Sequence, residues 1–140
     1  MTARRIDGID GLAACVGEHL GGSDWLEVTR PRAERFATSL GATFDPRSDT
    51  APEFLTLSLT PVLLPQVVDV SGFSTGVNYG CTSVRFPSPV GIGQQIRLGV
   101  ELLAADPIAG GVEIGYRLTF EIRDVDQPAC VADVLFRFYT

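Results

Sequence analysis

The sequence predicts an α+β domain in which an antiparallel, curved sheet wraps one long central helix. Two observations carry this prediction. Residues 50–64 are apolar on every side of a helix but are too few for the ~20 residues of a membrane span, so other elements must cover them. The second half of the chain alternates apolar and polar residues in runs separated by turn residues, which is typical of an antiparallel sheet with one apolar face.

The central helix is predicted to begin at a capping box formed by Thr50 and Glu53, which have the S/T-x-x-E spacing. Pro52 falls in the first turn, where a missing N–H costs little. Pro61 removes one helical hydrogen bond, so the helix should kink or end there. The apolar residues that need burial are Phe54, Leu55, Leu57, Leu59, Val62, Leu63 and Leu64.

Upstream of this segment, apolar spacing predicts a modest helix over residues 6–20 and a short edge strand over residues 23–29. A second helix should begin near Pro31 and end at Gly41, followed by a loop over residues 41–49. The stripe that this helix should bury consists of Ala33, Phe36, Ala37 and Leu40.

Downstream, period-2 alternation and turn residues predict four strands joined as a meander. They cover residues 76–86, 95–102, 114–123 and 130–139, with turns at 106–111 and 126–128. One apolar face of this sheet would cover the central helix.

Composition narrows the class of protein. At 140 residues and 45% hydrophobic, we expect one domain over residues 1–140 with a real core. The net charge of −6 argues against a nucleic-acid partner. Three cysteines without C-x-x-C spacing favour free thiols, and we expect no metal and no cofactor. Because no signal peptide or membrane segment is evident, we expect a cytoplasmic protein.

The single histidine, His19, invites a catalytic interpretation. No carboxylate or nucleophile stands at a recognisable spacing from it, so a surface or capping role is favoured.

Several stretches in order along the chain resemble the MaoC-like hydratases of the hotdog superfamily, which include the (R)-specific enoyl-CoA hydratases. They are residues 21–29 (GGSDWLEVT), 32–37 (RAERFA), 54–61 (FLTLSLTP), 77–90 (VNYGCTSVRFPSPV) and the turn into a strand at 93–97. The resemblance covers nearly the whole chain, and residues 77–90 are its most specific part.

The resemblance implies a hotdog domain that forms a homodimer, or a heterodimer with a similar subunit, around two central helices. Its ligand would be an acyl-CoA or acyl-carrier-protein thioester, with the acyl chain in a tunnel beside the helix. The family chemistry is reversible addition of water across a 2-enoyl thioester. An aspartate and a histidine on one loop activate the water, and a backbone N–H at the start of the central helix polarises the carbonyl.

The interval that should hold those catalytic residues departs from the family pattern. Residues 41–53 (GATFDPRSDTAPE) form a shorter loop without histidine, and Ala42 follows Gly41 where the family has aspartate. Asp45 best matches a position beyond the family's catalytic histidine. Glu53 brings a carboxylate to the point where the oxyanion donor is expected. No catalytic aspartate or histidine can therefore be carried over.

The remaining catalytic candidates are the acidic residues Asp45, Asp49 and Glu53. Each also has an ordinary structural role: a turn for Asp45, complementing the helix dipole for Asp49, and helix capping for Glu53. The alternative is that one of them is a general base in a changed reaction. Cys81 is interpreted as a small buried hydrophobe rather than a nucleophile. The candidate substrate-binding residues are Phe54, Asn78, Tyr79 and Arg85.

Three functions stay open from the sequence. The first is an enzyme with altered chemistry (a dehydratase, cyclase or isomerase) in polyketide or lipid metabolism. The second is a non-catalytic subunit of a hotdog heterodimer, and the third is a small-molecule-binding module.

Overall fold

The computed structural model describes residues 2–140, and these residues build two sheets and four helices. No helix in this part of the chain is long and apolar enough to cross a membrane. In chain order the elements are β1 (Arg4–Asp7), α1 (Gly8–Ala14), β2 (His19–Gly22), β3 (Leu26–Glu27), α2 (Arg30–Ser39), α3 (Glu53–Ser58), α4 (Thr60–Val67), β4 (Val68–Ser71), β5 (Thr75–Arg85), β6 (Gln95–Ile108), β7 (Gly111–Ile122) and β8 (Cys130–Tyr139).

The larger sheet is antiparallel and has the strand order β2–β6–β7–β8–β5, with β3 also paired to β6. Helices α3 and α4 pack against its apolar face. Because side chains alternate between the faces of a strand, every second residue of β6 and β7 points into this core. These residues are Ile96, Leu98, Val100, Leu102, Val112, Ile114, Tyr116, Leu118, Phe120 and Ile122.

The helix side of the core is a narrow stripe rather than a whole helix. Residues spaced by four supply it, namely Leu55, Leu59, Leu63 and Val67. The predicted burial on all sides is wrong for a single chain, because the sheet covers one face only. Phe54 is 65% exposed and Val62 is 48% exposed on the uncovered faces.

The central segment is two helices rather than one. Pro61 lacks an N–H, so the Leu57 carbonyl loses its usual helical partner. The Thr60 hydroxyl donates to that carbonyl at 2.7 Å instead. The predicted interruption near Pro61 is confirmed and falls at Leu59. The second helix then continues through Pro65 to Val67, beyond the predicted end.

The predicted capping box is wrong. Pro52 is the N-cap residue of α3, and no side chain accepts a capping hydrogen bond there. Thr50 forms a β-bridge with Gly91, and the Ala51 N–H donates to the Val90 carbonyl at 2.8 Å. These bonds hold the segment before α3 extended, so the Thr50 side chain cannot cap the helix.

The N-terminal predictions are partly wrong. The segment predicted as a helix over residues 6–20 contains α1 between two strands, because β1 pairs in parallel with β4 and β2 pairs with β6. The predicted edge strand shrinks to β3. Helix α2 forms as expected, with Thr29 as its N-cap, but Leu40 is 68% exposed rather than buried.

The predicted meander is confirmed for β6, β7 and β8, but β5 pairs with β8 at the far edge rather than with β6. The β5–β6 connection contains Pro87 and Pro89, which cannot donate to a ladder. Its backbone bonds instead go to other loops, such as Ile92 N–H to the Asp49 carbonyl at 2.8 Å. The β6–β7 turn is also tighter than predicted, because β6 continues to Ile108.

Ion pairs cross the polar face of the sheet. Arg117 donates two hydrogen bonds to the Asp133 carboxylate, at 2.8 and 2.9 Å. This hydrogen bonding lowers the pKa of Asp133, with a smaller electrostatic contribution from Arg117 and Arg85. Ionised Asp133 therefore stabilises the fold above the usual carboxyl pKa, and the contribution is lost as pH falls through the lowered folded-state pKa.

We expect Asp133→Asn to lower the free energy of unfolding by about 0.5–1 kcal/mol at neutral pH, as for a partly exposed pair. Urea titrations at neutral pH and at about pH 3, below the usual Asp pKa, measure this effect. The difference in unfolding free energy between wild type and Asp133→Asn should be smaller in acid. Asp126→Asn, an exposed residue of the β7–β8 connection, is the matched control. An equal loss of unfolding free energy at both pH values would contradict the assignment of this stabilisation to ionised Asp133.

Candidate functional site

An apolar groove runs between the central helices and strands β5 and β8. It consists of two adjoining cavities of about 510 and 410 Å³ that share Leu64, Pro65, Asn78 and Phe136. Leu57, Thr60 and Pro61 extend its helix wall, and Val134 lies on its sheet wall. Each cavity falls within the usual size range of small-molecule pockets. The apolar groove is therefore suited to an extended aliphatic group.

Strand β5 leaves one wall of this groove unpaired. It is the edge strand of the sheet, and nearly all of its eleven residues are exposed. Val77 is 43% exposed, although an apolar edge strand normally recruits a neighbour. This wall is therefore open to a second subunit or a ligand.

The four substrate-binding candidates do not converge on one point. Asn78 lines both cavities of the apolar groove, and Tyr79 lines the larger one. The ring of Tyr79 also lies against the Arg137 guanidinium, 3.5 Å from the ring centroid. Phe54 packs edge-on against Phe86, with ring centroids 5.4 Å apart. These contacts put only Asn78 and Tyr79 in the groove wall.

Arg85 lies on the other face of the sheet. It is paired in register with Val131 on β8, and its charge acts on Asp133, which is bonded to Arg117. Directly opposed residues of an antiparallel pair point to the same face. This placement directs Arg85 away from the groove and towards the ion pairs of the polar face.

The shortened loop before α3 is ordered by Arg30. Its guanidinium donates to the Pro46 carbonyl at 3.3 Å and to the Ser48 carbonyl at 3.0 Å. It also lies over the Phe44 ring, 5.8 Å from the centroid. Arg30 thus holds a loop that has no regular secondary structure through hydrogen bonds to the loop backbone. Sequence reasoning did not single out Arg30, because its acceptors are carbonyls that only the fold brings near.

Two of the three candidate carboxylates border one cavity of about 430 Å³, the loop cavity. Asp45 and Glu53 line it together with Thr50, whereas Asp49 is an exposed neighbour. The backbone N–H of Arg47 donates to Asp45 at 2.9 Å, and this bond, with the Arg47 guanidinium, lowers the pKa of Asp45. A lowered pKa makes a carboxylate a weaker base, so Asp45 is poorly suited to proton abstraction.

Asp69 is the carboxylate residue that lines the apolar groove. Glu53 lies outside the groove lining, at the start of α3. It precedes Leu57 by four residues in α3, so the two lie on the same helix face. The apolar groove and the loop cavity nevertheless share no lining residue. His19 lies on β2 opposite Glu101 and lines neither cavity. No acid–base pair is therefore assembled beside the groove among the described residues.

Cysteine chemistry and metal binding add little to this site. Cys81 lines the groove and is exposed, contrary to the expected buried role, whereas Cys15 and Cys130 are buried. Burial raises the pKa of the Cys130 thiol to about 11. Residues 2–140 contain no cluster of histidine, cysteine and carboxylate groups that could hold a metal ion.

An antiparallel sheet packed on central helices beside an apolar groove defines the hotdog class, and solved structures agree. The "Monoamine oxidase regulatory protein" of Archaeoglobus matches all of this chain and 99% of its own, with a TM-score of 0.75 at 19% identity. The MaoC-like dehydratase of Rhodospirillum rubrum matches 89% and 93%, with a TM-score of 0.67 at 16% identity. A chain of the ChsH1–ChsH2 complex of Mycobacterium tuberculosis matches 94% and 88%, with a TM-score of 0.58 at 13% identity.

Sequence similarity identifies the family. The chain is 33% identical, over 148 aligned positions, to 3-hydroxyacyl-thioester dehydratase Z of M. tuberculosis, with 96% of this chain and 98% of that protein covered. It belongs to the MaoC-like hydratase and dehydratase family of hotdog proteins. No family model matches the chain. The alignment is longer than the 140 residues of this chain, so the relative contains insertions with respect to it.

Proposed function

We propose that this chain is an acyl-thioester-binding member of the family that lacks the hydration chemistry. The acyl chain lies in the apolar groove, and the thioester end lies at the Leu57 end of the groove, towards the start of α3. The observation that carries the proposal is the separation of the groove from the loop cavity, where Asp45 and Glu53 are found.

Loss of hydration follows from the groups that are missing. Addition of water to an enoyl thioester requires a positioned base and a donor for the developing oxyanion. The loop that would supply the base contains no histidine, and Asp45 is held ionised by Arg47. Glu53 at the first position of α3 adds negative charge where the oxyanion would form.

A direct test combines binding and turnover on the purified chain. We expect saturable binding of medium-chain 2-enoyl and 3-hydroxyacyl thioesters by calorimetry, together with loss of enoyl absorbance no faster than in buffer. An active hydratase of the same family serves as the positive control for the substrates. Hydration well above the buffer rate would overturn the non-catalytic part of the proposal, and absence of binding would overturn all of it.

A second candidate function is the non-catalytic half of a heterodimer whose partner supplies the aspartate and histidine. The exposed edge of β5 supports it, and the similar fold found in the ChsH1–ChsH2 complex gives a precedent for two such chains together. Equilibrium sedimentation separates the alternatives. A stable homodimer that binds ligand favours the first candidate, whereas a monomer that binds ligand only with a related subunit favours the second.

A further inference from the structure

Two arginines line a cleft between α2 and α3 that shares no lining residue with the apolar groove. This α2–α3 cleft has a volume of about 440 Å³ and is lined by Arg32, Arg35, Phe36, Leu55, Ser58 and Leu59. Arg32 and Arg35 are three residues apart in α2, so both side chains lie on one helix face. Neither has a carboxylate within 4.0 Å in the described part of the chain.

This arrangement is unusual among the arginines of the protein. Of the nine other arginines, six are ion-paired, Arg30 and Arg123 donate to uncharged acceptors, and the charge of Arg85 acts on Asp133. The chain carries a net charge of −6, so carboxylates are abundant elsewhere on its surface. Two neighbouring guanidinium groups without a counter-ion leave an unneutralised positive patch at the cleft.

Helix stability does not account for the patch. Basic side chains near a helix N-terminus oppose the helix dipole, and the first turn of α2 contains no acidic residue. Guanidinium groups bind phosphate oxygens through paired N–H donors, and they are favoured wherever a planar, bidentate contact is needed. Phe36, Leu55 and Leu59 provide the apolar part of the cleft lining.

We propose that the α2–α3 cleft binds a phosphate group of the carrier to which the acyl thioester is attached, with Arg32 and Arg35 as its ligands. This inference rests on the proposed function. Phe36 lines both the cleft and the loop cavity, which extends to Glu53. Helix α3 has six residues and is about 9 Å long. In this proposal the pantetheine arm passes around the start of this short helix, from the groove to the cleft.

The test compares ligands with and without phosphate on the same acyl group. Arg32→Ala/Arg35→Ala should weaken binding of an acyl-CoA by about tenfold or more, the scale of one or two hydrogen bonds to a charged group. Binding of the corresponding acyl-pantetheine, which has no phosphate, should be unchanged. Added salt should weaken wild-type binding of acyl-CoA more than binding to the double variant. Arg123→Ala is the matched control, since it removes an exposed arginine elsewhere.

Two further ligands identify the source of the phosphate. Adenosine 3′,5′-bisphosphate that binds the wild type and not the double variant assigns the cleft to the nucleotide of coenzyme A. An acyl-phosphopantetheine with the same dependence assigns it to the phosphate shared with carrier proteins. Both results support the site. Dependence on Arg32 and Arg35 for an unmodified carrier protein would overturn it in favour of a protein surface.

The inference and the proposed function fail differently. If acyl-pantetheine binds but the double variant binds every phosphate ligand as well as the wild type, the cleft assignment is wrong and the groove assignment stands. If no acyl thioester binds while the bisphosphate still requires Arg32 and Arg35, the groove assignment is wrong and the cleft stands. Equal weakening of acyl-pantetheine and acyl-CoA would show damage to the groove and would overturn the cleft.

Discussion

If the apolar groove holds the acyl chain, as proposed, replacing Leu64 with tryptophan is expected to abolish the increase in affinity with acyl-chain length. Leu64 lines both cavities of the apolar groove, so a larger ring there obstructs its middle. In the wild type, each buried methylene contributes about 0.8 kcal/mol, or about fourfold in affinity. Between four-carbon and eight-carbon enoyl thioesters the gain is then about 3 kcal/mol, roughly two orders of magnitude.

Calorimetric titration measures how affinity depends on acyl-chain length. The ligands are the four-, six- and eight-carbon thioesters, each about two methylenes longer than the one before. The Leu64→Trp variant should bind all three with similar, weak affinity. Val16→Trp is the matched control, because Val16 is 44% exposed and lines neither cavity. If the Leu64→Trp variant kept the full chain-length dependence, the acyl chain would have to lie elsewhere.

Cys81 gives an independent readout of the same prediction. It is the exposed cysteine of the groove, whereas Cys15 and Cys130 are buried, so a thiol reagent should modify Cys81 first. A saturating eight-carbon thioester should slow this alkylation in the wild type. This ligand is chosen because its expected binding free energy is about 3 kcal/mol more favourable than that of the four-carbon thioester. No protection is expected for Leu64→Trp.

The largest effect on stability is expected for Gly111→Ala. Gly111 begins β7 and lies in register with Ile108 on β6 and Tyr139 on β8, so strands flank it on both sides. A Cβ atom at this position would overlap the carbonyl oxygen of Phe138. That oxygen belongs to the backbone of β8 and cannot rotate away as a side chain could. We expect a loss of about 3 kcal/mol in the free energy of unfolding, at the upper end for overpacking.

Gly80→Ala provides the comparison for this substitution. Gly80 also lies in a strand, but a Cβ there would meet no atom within 4 Å. Its unfolding free energy should stay within about 0.5 kcal/mol of the wild type. Urea unfolding of both variants measures the difference. Equal stability of Gly111→Ala and Gly80→Ala would mean that β8 can move aside.

The main elements were predictable because local patterns encode them. Alternation fixed β6, β7 and β8, and Pro61 marked the interruption of the central helix. The site was less predictable. Asp45, Asp49 and Glu53 can be located near the start of α3 from the sequence, but only the fold shows that the loop cavity lined by Asp45 and Glu53 shares no residue with the apolar groove. Arg32 and Arg35 carried a readable signal in their three-residue spacing, yet their missing counter-ions appear only in three dimensions.

The sequence by itself determined that this chain has an apolar central segment, an alternating sheet and a short loop without histidine before α3, because these are properties of residue type and spacing. The tertiary structure decided that β5 joins β8, that Thr50 bridges Gly91 instead of capping a helix, and that Arg85 faces away from the groove. Each of these depends on contacts between residues far apart in the chain. At these positions the free energy of the long-range contacts exceeds that of the local conformational preferences.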